Sequence, residues 1–161
     1  MVMFMYLAWV PKKHSMVWAV LPQYQSTQFG YIKPFSRKKE GTNNSQAHET
    51  LDATNKLAAI TDYFKQHKTK DDKFYIFADN EALRWDADSV AAGQDPDYTP
   101  KELWVTLNDV LHRHNLTLKD LTFSSKKGLL SRQIQREAEL YMDSVPIPAS
   151  KKGRGKPCQK S

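Results

Sequence analysis

Two acids stand where the chain's pattern could put them to chemical use. Phe74-Tyr75-Ile76-Phe77-Ala78 is a short, nearly continuous apolar run, and Asp79 ends it. Such a run reads as a strand buried on both faces, near the middle of a mixed or parallel sheet. Ligand sites in open α/β sheets collect at the carboxyl ends of strands, which is where Asp79 falls. An Asp there also suits plain capping of the next turn or helix. The stretch alone leaves both readings open. Glu49 lies four residues before Ala53, on the stripe Ala53, Leu57, Ile60 and Phe64. The helix dipole accounts for an acid near a helix start. An acid on the apolar side is still less usual than one on the solvated side.

The cations form clusters. Lys12 and Lys13 follow the first apolar run, and Arg37, Lys38 and Lys39 open a polar loop. Lys126 and Lys127 stand before a glycine, and Lys151, Lys152, Arg154 and Lys156 lie near the C-terminus. The formal net charge is +6. This balance suits an anionic partner such as nucleic acid. Residues 144–161 carry five Lys and Arg and no acid, which leaves only +1 for the rest of the chain. That segment contains Gly and Pro and reads as a basic tail that does not fold alone.

The elements that must position these residues follow from hydrophobic period. The 161 residues suit one domain with a real core, and 40% are hydrophobic. Val2 to Val10, Met16 to Leu21 and Thr27 to Phe35 read as three strands of an antiparallel meander. A helix is expected over about Gln46 to His67. After the central strand, Glu81 to Ala92 reads as a helix. Thr99-Pro100-Lys101-Glu102 then has the form of a capping box with Pro at the first helical position. That helix should end near His114. Leu116 to Phe123 reads as a fifth strand and Leu129 to Met142 as a final helix.

Several chemistries are not supported. The five histidines form no compact metal-ligand pattern, and His112 and His114 suit a solvated helix end. Cys158, the one cysteine, has no adjacent base and permits no intrachain disulfide, which fits a reducing, cytoplasmic setting. No phosphate-binding glycine loop or dinucleotide fingerprint occurs. The apolar start of the chain is too short to span a bilayer and lacks the order of a signal peptide. No membrane partner is expected.

Three strands, a helix, a buried strand ending in Asp, two helices, a strand and a final helix: this order resembles the ribonuclease H fold over about Met1 to Met142. Thr42-Asn43-Asn44 ahead of Glu49, and Ile76-Phe77-Ala78-Asp79-Asn80, resemble the family's loop-and-Glu and strand-and-Asp motifs. Gln135-Arg136-Glu137-Ala138-Glu139 stands where the family's last helix carries a further acid, with Glu139 the better match and Glu137 the alternative. The resemblance implies an α/β fold (α+β in some schemes), with a five-stranded mixed sheet flanked by helices. Residues 1–143 would form that domain and 144–161 the tail. It also implies Glu49, Asp79 and Glu139 as catalytic acids and metal ligands. They would hold Mg²⁺ or Mn²⁺ for two-metal-ion hydrolysis of RNA in RNA–DNA hybrids.

The chain departs from the family at the first strand. The family's Asp falls near that strand's end, and here the place reads Trp9-Val10-Pro11-Lys12, with no acid before Glu40. Val10 is thus expected in the missing ligand's place, and the three acids would be a remnant of a metal site. The reading is a nucleic-acid-binding protein with a degenerate site, acting on an RNA–DNA hybrid or on double-stranded RNA or DNA. One alternative is an active ribonuclease H using a replacement ligand such as His14. The other is a protein-interaction or structural module that kept the fold.

Overall fold

The computed structural model describes residues 2–22, 26–35, 45–66 and 73–146. The apolar runs become five strands: β1 (Val2–Val10), β2 (Ser15–Leu21), β3 (Gln28–Ile32), β4 (Lys73–Phe77) and β5 (Leu121–Ser124). Helix α1 (Ser45–Gln66) joins β3 to β4, and α2 (Glu81–Ala91) and α3 (Lys101–Arg113) lie between β4 and β5. Helix α4 (Ser131–Ser144) follows β5. The strands form one mixed sheet in the order β3-β2-β1-β4-β5. β1, β2 and β3 pair antiparallel, while β4 is parallel to β1 and β5 to β4. The protein is therefore α/β, with helices on both faces of the sheet. Among the described residues no helix is long and apolar enough to cross a membrane.

Alternation along each strand sorts the side chains to two faces. Met5, Trp18, Phe74, Ile76 and Ala78 pack on one face against Leu57, Ile60 and Phe64 of α1 and Leu107 and Leu111 of α3. Tyr6, Ala8, Val10, Val17 and Ala19 face the other way, against Ile134, Ala138 and Met142 of α4. Both faces of β1 are thus covered along most of its length, and β1 is the central strand. β4 is interior but differs from the expectation. Its Phe74 and Ile76 are buried, while Tyr75 and Phe77 on the α4 side are only half-buried. The aromatic run looked continuous because both faces are apolar, yet α4 reaches only part of the second one.

Two further expectations are corrected by local hydrogen bonding. The α3 capping box does not form: the N-cap is Pro100, with no side-chain cap. The Thr99 hydroxyl instead donates to Asp86 and accepts from Trp104 Nε1, each at 2.6 Å. The fifth strand is short, because Leu118–Asp120 form a 3-10 turn. Thr117 and Asp120 close a capping box there, which holds the chain out of the ladder until Leu121. His112 is exposed as expected. His114 is not: its Nε2 lies 2.7 Å from the Phe64 carbonyl oxygen, tying the end of α3 to α1.

Gly30 is paired with Trp18 across β2 and β3. A Cβ at Gly30 would overlap the Trp18 indole, which is buried and donates through Nε1 to Asp62 at 3.0 Å. Gly30→Ala should therefore displace the ring and cost about 1–3 kcal/mol. A urea titration followed by tryptophan fluorescence checks this. An unchanged midpoint would mean that the indole finds equal packing elsewhere.

Candidate functional site at the ends of β1 and β4

β1 and β4 are parallel neighbours whose last paired residues are Tyr6 and Phe77. Beyond them the chain leaves in opposite directions. β1 turns through residues 11–14 to β2 on one side, and β4 leads through α2 and α3 to β5 on the other. Such a divergence opens a crevice at the carboxyl ends of the strands.

Asp79 stands at that crevice with φ of 48°, a left-handed conformation that Asp adopts more readily than most residues. Its amide donates to the Lys126 carbonyl at 3.2 Å, and the amide of Ala78 donates to Ser124 at 3.0 Å. The helix cap is the next residue. Asn80 accepts from the Leu83 amide at 2.8 Å, so the Asp79 carboxyl is not used as the cap and is exposed. Asn80 also donates to the Glu49 carbonyl oxygen at 3.0 Å and to Asp52 at 2.9 Å. Lys56 is buried and bridges Asp52 at 2.8 Å and the Ala78 carbonyl at 2.6 Å. These bonds from α1 fix the corner on which Asp79 sits.

Helix α4 closes the other wall. A cleft of about 460 Å³ is lined by Tyr6, Ala8, Phe77 and Asp79 from the sheet side, by Lys127, and by Arg132, Gln135, Arg136 and Glu139 from α4. Gln135 donates to the Trp9 carbonyl at 2.8 Å and to Glu139 at 3.1 Å, which ties α4 to β1 and orients the acid. Arg136 and Glu139 also line an adjoining groove of about 400 Å³ with Val10 and Lys12. Two acids and three cations thus share one cleft, which offers both charge-assisted donors and acceptors to a ligand.

The structure brings Asp79 and Glu139 to this cleft, and Glu49 is not among its lining residues. The Glu49 side chain is exposed on α1, and only its carbonyl meets the Asp79 corner, through Asn80. Glu137 accepts from Gln133 at 2.9 Å and does not line the cleft. Val10 lies in the adjoining groove, and the residues of β1 that share the cleft with Asp79 are Tyr6, Leu7 and Ala8, none of them an acid. His14 lines a different cavity, with Trp9 and His48. Among the described residues no group of three His, Cys, Asp or Glu could hold a metal ion.

Of the predicted cations, Lys127 lines the cleft, Lys12 lines the groove, Lys126 is exposed and Lys13 is half-buried. Arg37, Lys38, Lys39, Lys151, Lys152, Arg154 and Lys156 lie outside the described residues. Arg132 and Arg136 were not singled out from sequence. Their signal was present in the spacing: residues 132, 136 and 139 recur at helical intervals on one face. No family profile, no curated protein and no solved structure matches this chain.

Proposed function

We propose that the chain is a nucleic-acid-binding protein of ribonuclease H-like architecture with an incomplete carboxylate site. The element order and the mixed sheet with β1 at its centre support the architecture. The observation that carries the function is the cleft itself, where Asp79 and Glu139 stand among Lys127, Arg132 and Arg136 and where β1 contributes Tyr6, Leu7 and Ala8 but no acid. In this reading the cations meet phosphate oxygens. Asp79 and Glu139 accept hydrogen bonds from sugar hydroxyls, the 2′-hydroxyl being the group that distinguishes RNA from DNA. The single cysteine suits a cytoplasmic setting.

A second reading, an active metal-dependent hydrolase of RNA–DNA hybrids, is favoured only by Asp79 and Glu139 sharing one cleft. One assay separates the two. Hybrid binding should persist in EDTA, while cleavage with Mg²⁺ or Mn²⁺ should be weak or absent. Robust Mg²⁺-dependent cleavage that Asp79→Asn abolishes would establish the second reading instead.

A further inference from the structure

Lys73, Tyr75 and Phe77 alternate to one face of β4, the same face that Asp79 approaches at the strand's end. In β1 the register sets Phe4 beside Tyr75 and Tyr6 beside Phe77. Helix α4 packs on Ala8, Val10 and Val17, and through Ile134 on Tyr6 and Ala19. It therefore covers the part of this face near the carboxyl end of β1. Phe4 is left 43% exposed, and Tyr75 is half-buried.

The rings form one continuous strip in which Tyr6 is buried and Phe4, Tyr75 and Phe77 keep exposed surface. Tyr6 and Phe77 stack at 4.7 Å between centroids, Phe4 and Phe77 lie 6.2 Å apart at 18°, and Tyr75 lies 5.0 Å from Phe77. Phe77 and Tyr6 also line the cleft, so the strip runs into it. Gly128, with φ of 85°, brings the loop bearing Lys127 down onto these two rings, and a Cβ there would strike both. Cations stand at both ends, Lys73 at one and Lys127 and Arg132 in the cleft at the other. Between Lys73 and Asp79 this face of β1, β4 and β5 carries Phe4, Tyr6, Tyr75, Phe77, Thr122 and Ser124, and no acid. Lys73 and Asp79 are six positions apart, ~20 Å of extended chain, and the rings occupy the stretch between them.

We infer that this open aromatic strip is a stacking platform for the unpaired bases of a single-stranded nucleic acid segment that continues from the cleft. The inference rests on the cleft's proposed role in nucleic-acid binding. Every base presents a π-face to an aromatic ring, whereas the bases of a duplex are already stacked on one another. The flanking cations meet the backbone at each end, and the acid-free face adds no repulsion.

The test uses the full chain and two fluorescein-labelled probes, a short oligodeoxythymidylate and a blunt RNA–DNA hybrid. Phe4→Ala/Tyr75→Ala should weaken binding of the single strand roughly 5- to 150-fold and leave the blunt hybrid unchanged. Tyr75→Phe, which keeps the ring, should retain single-strand binding. An unaltered circular dichroism melt of the double variant separates loss of the platform from loss of the fold. Equal single-strand affinity of wild type and double variant would overturn the platform while hybrid binding keeps the cleft's role. Wild type binding neither probe would remove the cleft's role, and the platform with it. A change in self-association on sedimentation, without a change in single-strand affinity, would show a protein-docking face and overturn the inference.

Discussion

Asp86→Ala should destabilise the protein by about 4 kcal/mol, a large part of the 5–15 kcal/mol typical of a domain. Asp86 is fully buried on α2. Its carboxyl oxygens accept from the amides of Asp97 (2.8 Å), Tyr98 (3.0 Å) and Thr99 (2.7 Å), and from the Thr99 hydroxyl. The Thr99 oxygen then accepts from the indole of buried Trp104. One side chain thus holds residues 97–99 against α2 and, through Trp104, seats α3. Truncation leaves buried donors without partners, each costing about 1–3 kcal/mol where water cannot reach. Asp86→Asn keeps an acceptor but turns an NH₂ group toward amide donors, so it should lose about half as much. Chemical denaturation of the three proteins measures this. A loss below about 1 kcal/mol for Asp86→Ala would mean that water replaces the carboxyl group.

Reversing two cleft cations should have the largest effect on binding. Arg132→Glu/Arg136→Glu is expected to weaken hybrid binding roughly a hundredfold at low salt. It should also flatten the logarithmic salt dependence by ~1.8, about 0.9 for each phosphate no longer neutralised. Both side chains are exposed on α4, so the fold should be unaffected. Fluorescence anisotropy across a potassium chloride series reads both quantities. Unchanged affinity and slope would place the phosphate-binding cations elsewhere on the protein.

Much of the fold was legible because its signals are local. The apolar run Val2–Val10 and the four–three–four spacing in α1 are hydrophobic patterns written into the chain itself. The position of Asp79 at a strand end followed in the same way. What was not legible depends on partners distant in sequence. Thr99 carries a capping signature, but Asp86, 13 residues earlier, takes its hydroxyl. Capping was read for Asp79, but Asn80 takes the cap, held there by its bonds to Glu49 and Asp52. Lys56 is buried because the Ala78 carbonyl, 22 residues on, accepts from it at 2.6 Å.

The candidate site divides similarly. Asp79 and Glu139 reach one cleft because α4 packs across β1, a tertiary fact with no local signature. Val10, expected in the missing ligand's place, lines the adjoining groove and not the cleft. β1 and β4 pair as Tyr6 with Phe77, and Tyr6, Leu7 and Ala8 are the β1 residues that share the cleft with Asp79. A strand's length shows in its pattern, but its register against a neighbour is set by packing.

The central claim is that nucleic acid binds in the cleft between the end of β4 and helix α4. Amide hydrogen exchange of the full chain, with and without an RNA–DNA hybrid in EDTA, tests it most directly. The account predicts slowed exchange over residues 78–80 and 126–139, together with the turn at 11–14 beside the groove. Protection confined to other parts of the chain, or no protection at a hybrid concentration that saturates binding, would contradict it.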